Sequence, residues 1–136
     1  MTAKEYLRQA HRLDERINAH IAELEGLRDM STRIQGCGFE EHISGTRSTD
    51  PPFMRVLVKI IDMQHHINDE IDQLVDLKAE MDRAIAKLDN VEERLLLRYR
   101  YVNNYDWDDI AATLNVSYRT VHRIHASALQ NFEVPE

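Results

Sequence analysis

The chain has 136 residues, 30% of them charged, with a formal net charge of −7 at pH 7. This length suits one or two small domains but is short for an enzyme with a deep cleft. Four glycines and three prolines favour long helices over sheets, and the single cysteine, Cys37, excludes an intrachain disulfide framework. Because the sequence has neither a recognisable signal peptide nor an apolar run long enough to span a membrane, we expect a cytoplasmic protein.

A heptad pattern predicts a long first helix over residues 3–34. Its seam positions alternate at spacings of three and four: Ala3, Tyr6, Ala10, Leu13, Ile17, His20, Leu24, Leu27, Ser31 and Ile34. Charged residues fill the outer positions and no proline interrupts the series, so the helix would be about 50 Å long. Residues 36–52 are rich in Gly, Ser and Pro, which predicts a loop whose role the sequence leaves open.

A second heptad series predicts a matching helix that packs antiparallel to the first. Its seam consists of Leu57, Ile60, Gln64, Ile67, Ile71, Leu74, Lys78, Met81, Ile85 and Leu88. Ile61 and Leu77 widen the apolar stripe, and a two-helix hairpin leaves part of such a stripe in water. We therefore expect residues 1–89 to be a coiled-coil-like hairpin that forms a homodimer through residues 3–34 and 54–88.

Capping signals predict a compact C-terminal domain over residues 90–136. Asn90 is suited to cap a third helix, with Glu93 at the reciprocal capping-box position. Asp106 is suited to cap the next helix, and Val116 and Ser117 to form the corner before a last one. In that last helix Val121, Ile124 and Ala128 share one apolar face. The expected fold is all-α, a helical hairpin followed by a helix-turn-helix.

The opposite face of the last helix carries residues that can read DNA. Base edges and phosphates are contacted from the N-terminal half of a recognition helix, and arginine forks bind guanine or phosphate. The expected DNA-binding residues are Ser117, Tyr118, Arg119, Thr120, His122 and Arg123. From Val91 onward, the sequence contains five arginines and seven acidic residues. DNA binding by one copy would therefore be weak and sensitive to salt.

Several C-terminal segments together resemble region 4 of sigma-70-type factors. They are Leu96–Tyr101, Trp107–Ala111, Val116–Ser117, Thr120–Val121 and Ile124–Leu129. The whole chain is similar to small phage and prophage regulators of the ArpU and RinA type, which join a helical N-terminal half to a sigma-like helix-turn-helix. The resemblance implies binding of promoter DNA, here through Tyr118, Arg119, His122 and Arg123, and a contact with RNA polymerase. Tyr118, His122 and His125 depart from the usual recognition helix of the sigma family, and we interpret His122 and His125 as DNA-facing or surface residues and not as acid–base groups.

Two other functions fit the same elements: a DNA-packaging adaptor similar to a small terminase subunit, and a polymerase-binding module that does not contact DNA. An enzyme is not expected, because the sequence has neither a phosphate-binding loop nor a nucleophile elbow. Asp62, His66 and Glu70 recur at intervals of four, but three ligands along one straight helix span too far for one ion. We therefore expect no metal and no cofactor.

Overall fold

The computed structural model describes residues 1–36 and 51–136, and in these residues every regular element is a helix. Helices α1 (Ala3–Gly36) and α2 (Pro52–Ile85) have 34 residues each. They are followed by α3 (Val91–Leu97), a π-helical turn (Arg98–Val102), α4 (Trp107–Leu114) and α5 (Tyr118–Asn131). The all-α prediction is confirmed. Most of the predicted loop at 36–52, including Cys37, lies outside the described residues.

Two compact units divide the chain, and the division cuts across the long helices. The hairpin unit comprises Glu15–Asp72, and the terminal unit comprises Met1–Asp14 together with Gln73–Glu136. The boundary expected between residues 89 and 90 divides the sequence into two consecutive segments. The terminal unit uses residues from both sides of that position, because its core includes Tyr6 and Met81.

In the hairpin unit α1 and α2 run antiparallel. His20 of α1 contacts Glu70 of α2, whereas Ile21 and Leu24, further along α1, share a groove with Ile67, which is earlier in α2. Among the described residues of this unit, the buried apolar ones are Ile17, Leu24, Val56, Ile60 and Ile67. All ten predicted seam positions of α1 are buried or half-buried in their respective units.

The seam of α2 differs from the prediction at one turn. Ile71 is 40% exposed, whereas the preceding residue, Glu70, is 4% exposed. One turn of an α-helix contains 3.6 residues, whereas a heptad repeat needs 3.5 residues per turn. A strict heptad series therefore drifts around a straight helix by about 20° per heptad. Val56 and Met63 likewise lie on the inner side of α2, next to the predicted Leu57 and Gln64.

The terminal unit has one hydrophobic core that collects residues from every helix. Its fully buried side chains include Leu7 of α1, Met81 and Ile85 of α2, Leu97 of α3 and Ile110 of α4. The rings of Tyr6 and Phe132 stack with centroids 6.0 Å apart. The beginning of α1 and the end of α2 therefore complete the core on which the helix-turn-helix is built.

Candidate nucleic-acid interface

Helix α4 begins where the sequence predicts. Asp106 has an extended backbone, and its carboxylate accepts a hydrogen bond of 2.8 Å from the amide of Asp109. Asp108 and Asp109 lie in the first turn, where the positive end of the helix dipole favours acidic side chains. Ile110 is completely buried in the core of the terminal unit. The cap and this anchor fix the position of α4.

The corner between α4 and α5 depends on one left-handed residue. Asn115 has φ 57° and ψ 48°, a conformation that asparagine tolerates better than most residues. The next amide, that of Val116, donates to the carbonyl of Ala111, and the Val116 side chain packs against the core. Ser117 then caps α5: its hydroxyl accepts from the amide of Thr120 at 3.2 Å. These contacts form a helix-turn-helix corner.

The inner face of α5 is held in the core as the apolar pattern predicts. Val121 and Ala128 are completely buried, and Ile124 and Phe132 are nearly so. Leu129 is partly buried against the same cluster. Because this face is fixed, the side chains on the opposite face have a defined direction relative to the unit.

His125 belongs to the inner face, so its assignment to the surface from sequence is wrong. The residue is buried, its Nε2 lies 2.7 Å from the hydroxyl of Tyr101, and its ring meets Trp107 edge-on at 4.7 Å. Burial, followed by the positive charges of Lys4 and other neighbours, lowers the pKa of His125 to about 4. At neutral pH this imidazole is an uncharged part of the core.

The outer face of α5 brings four of the predicted residues together. Tyr118, Arg119, His122 and Arg123 are all exposed. The ring of His122 lies between those of Tyr118 and Trp107, with centroids 4.5 and 4.8 Å away. This aromatic row defines the outer face and reaches from α5 back to the first residue of α4.

The two arginines of the outer face are unpaired in the described part of the chain, since neither Arg119 nor Arg123 lies within ion-pair distance of a carboxylate there. The arginines of the preceding segment are engaged. Arg98 pairs with Asp82 at 2.9 Å, and the guanidinium of Arg100 lies 4.4 Å above the ring of Trp107. A free guanidinium keeps its donors for an external acceptor such as a phosphate or a guanine edge.

The other two predicted residues lie at the start of α5 and contact each other. Ser117 and Thr120 share a hydroxyl–hydroxyl hydrogen bond of 2.8 Å, in addition to the amide bond that caps α5. Thr120 is half-buried, while Ser117 is exposed. Their observed contacts are those of a helix cap, and they hold the first turn of the outer face in place.

Glu93 fastens α3 to α5, a contact that the sequence did not reveal. Asn90 caps α3 as predicted, accepting from the amides of Glu92 and Glu93. The carboxylate of Glu93, however, accepts hydrogen bonds from the hydroxyl of Ser127 at 2.6 Å and from the amide of Asn131. It is buried. The only signal in the sequence is the pair of polar residues one turn apart on the inner edge of α5.

Comparison with known proteins relates most of the chain to one family. Residues 43–133 match the family described as "Protein of unknown function (DUF1492)", a match that includes α2 to α5. Neither the curated proteins nor the solved structures contain a match. Among the described residues, no helix is both long enough and apolar enough to cross a membrane.

Proposed function

The chain belongs to the DUF1492 family, and we propose that it is a DNA-binding transcriptional regulator of phage or prophage genes that inserts α5 into the major groove. The observation that carries the proposal is the outer face of α5. It presents two guanidiniums, Arg119 and Arg123, that have no carboxylate partner among the described residues, on a helix whose other face is fixed in the core. Arginine in this position binds guanine or phosphate in the major groove.

The aromatic row supports the same proposal. Tyr118 is 53% exposed and rests on His122, which in turn rests on Trp107. These contacts reduce the number of conformations that the two outer side chains adopt before binding, so less entropy is lost when they contact DNA. The Ser117 cap orients the same turn.

The charge distribution supports a dimer as the DNA-binding form. Three aspartates surround the start of α4, and the segment from Val91 onward has a net charge of −2. Because affinity for DNA rises with the number of phosphates neutralised, two recognition helices offset the few contacts that one helix makes. We propose that the dimer forms through residues 3–34 and 54–88, and that the sigma-like arrangement allows a contact with RNA polymerase.

The proposal is tested in two steps. DNA fragments of the host genome that bind the purified full-length chain are captured and sequenced, and affinity for the most enriched fragment is measured by fluorescence anisotropy over a series of salt concentrations. The double variant Arg119→Ala/Arg123→Ala should bind this fragment less tightly by about 1–3 kcal/mol per arginine. If those arginines contact phosphates, the salt dependence also falls by about one unit per lost contact.

A charge-matched control distinguishes specific DNA contacts of α5 from general electrostatic attraction between the protein and DNA. The double variant Arg33→Ala/Arg55→Ala removes two exposed arginines from the hairpin unit and, once sedimentation equilibrium shows that its mass equals that of the wild type, should retain most of the affinity. Equal affinities for the wild type and the Arg119/Arg123 variant would contradict the proposal. Binding of RNA polymerase without DNA would select the polymerase-binding module, and a ring larger than a dimer would select the packaging adaptor.

A further inference from the structure

The hairpin unit contains a buried carboxylate surrounded by three nitrogen-bearing side chains. Glu70 of α2 has a side chain only 5% exposed. One of its oxygens, Oε2, lies 3.0 Å from Nε of Arg16, while the other, Oε1, lies 2.6 Å from Nδ1 of His20 and 3.7 Å from Nε2 of His66. Both imidazoles therefore converge on the same oxygen atom.

We propose that His20, His66 and Glu70 form a binding site for a zinc ion, which links α1 to α2 within the hairpin unit. One ligand atom from each of the three residues lies within 4.8 Å of the other two. Two imidazole nitrogens and one carboxylate oxygen are a ligand set that Zn²⁺ commonly accepts, with a water molecule as the fourth ligand. Three ligands along α2 alone would lie too far apart for one ion, whereas His20 from α1 lies close to both His66 and Glu70.

The observed distances, which reach up to 4.8 Å between ligand atoms, require an adjustment of the side chains for the metal. In a tetrahedral zinc site, with bonds of about 2.0–2.1 Å, neighbouring ligand atoms are about 3.3 Å apart. The distance from Glu70 to His66 is already close to this value, at 3.7 Å, and the contact with His20 must lengthen from 2.6 Å. Because His66 is 58% exposed at the surface, its side chain can move and an ion can enter from that side.

Arg16 and the ring contact between the histidines hold the ligands in place. The guanidinium of Arg16 engages the oxygen of Glu70 that does not face the imidazoles, which orients the other oxygen toward them. The rings of His20 and His66 meet edge-on, with centroids 4.9 Å apart. Partners of this kind, bound to the ligands and not to the metal, orient ligands in known metal sites.

Metal binding also has a consequence for protons. The contact of 2.6 Å between His20 and Glu70 is a hydrogen bond and therefore contains a proton. A zinc ion between the two ligand atoms would take the place of this proton, which in a neutral imidazole moves to the other ring nitrogen. Binding should weaken as the pH falls, because protons compete with the metal ion for the imidazole nitrogens.

The test uses the full-length chain without an affinity tag, freed of metal with a chelator. Titration with zinc chloride in a calorimeter should give one ion per chain. Replacement of zinc by cobalt(II) should produce the intense visible absorption of a tetrahedral site. His20→Ala, His66→Ala and Glu70→Gln should each weaken binding at least tenfold.

His65→Ala is the matched control, because His65 is exposed on α2 next to His66 but is not one of the clustered ligands. It should bind zinc like the wild type. His66→Ala is the decisive variant, since an exposed histidine can be replaced without loss of helical structure, which circular dichroism checks. The proposal is overturned if the wild type takes up no zinc, or if His66→Ala and His65→Ala bind it equally.

Discussion

The hydroxyl of Tyr101 and Nε2 of His125 lie 2.7 Å apart inside the terminal unit, where they join the π-helical turn to the inner face of α5. The rings also stack, with centroids 5.8 Å apart. His125 follows the exposed His122 by three residues on α5, so it is easily assigned to the same exposed surface. The pair shows that it is instead part of the support for that surface.

This pair makes the stability of the protein depend on pH. The pKa of His125 is about 4 in the folded protein, and that of an ordinary unfolded histidine is about 6.5. Between these values the unfolded chain binds a proton that the folded chain does not bind. The contribution is therefore fully present above about pH 6.5 and is lost as the pH falls to about 4, by at most about 3 kcal/mol.

The variant His125→Gln isolates this effect, because glutamine is polar but does not titrate. Urea unfolding at a series of pH values should show a smaller loss of stability between pH 6.5 and 4 for the variant than for the wild type. At pH 7 the variant should be the less stable of the two, since the ring contacts are lost. Parallel pH profiles would contradict the assignment of His125 as a buried neutral base.

The carboxylate of Glu93 should make Ser127 important for stability. Ser127→Ala removes the shorter of the hydrogen bonds that this buried carboxylate accepts, and an incompletely satisfied buried charge costs about 1–3 kcal/mol. Gln130→Ala, at an exposed position of the same helix, should change the free energy of unfolding by less than about 0.5 kcal/mol. Equal urea midpoints for the two variants would contradict a structural role for Glu93.

An acidic residue beside the proposed interface should affect DNA binding and stability in opposite directions. Asp108 is exposed in the first turn of α4, where its charge favours the helix but repels phosphates. Asp108→Asn should therefore raise affinity for the captured DNA fragment about two- to fivefold at low salt. It should also lower the free energy of unfolding by about 0.3–1 kcal/mol.

Asp29→Asn, which removes the same charge from an exposed position of the hairpin unit, is the control for DNA affinity. Anisotropy titrations at two salt concentrations distinguish the variants. If both raise affinity equally, the effect reflects net charge and not the position of α4 beside DNA.

Exposed apolar residues of α2 lead to a prediction about oligomeric state. Met54, Val58 and Ile61 are 46, 52 and 45% exposed, and their spacing places them on one side of the helix. If this side contacts a second copy, Val58→Glu/Ile61→Glu should convert a dimer to a monomer in sedimentation equilibrium. Lys59→Glu, at an exposed neighbouring position, should leave the mass unchanged. A monomeric wild type at high concentration would refute the dimer.

The apolar periodicity predicted the helices well because burial of a stripe is a property of local sequence. The seam of α1 and the inner face of α5 are examples. The errors concern polar residues whose partners come from another helix. The sequence pattern groups Glu70 with Asp62 and His66 on α2 and places Glu93 at a capping-box position, because nothing nearby in sequence indicates that His20 or Ser127 will meet them. The π-helical turn that places Tyr101 in the core was also not predicted.

For the candidate site, sequence predicted which residues share the outer face of α5 but not how they interact. Ser117 and Thr120 were grouped with the arginines, whereas their observed contacts are with each other. The row from Trp107 through His122 to Tyr118 depends on the angle between α4 and α5, which no local pattern contains.

The stacking of Tyr6 on Phe132 bears on how the chain acquires its fold during synthesis. These rings, at opposite ends of the described sequence, belong to one core, so the first turns of α1 leave the ribosome long before their partners exist. Until α5 has been made, Tyr6 and Leu7 must stay exposed, bind a chaperone or pack transiently elsewhere. The terminal unit can close only after α5 and Phe132 have been translated, because their side chains belong to the same core as Tyr6 and Leu7.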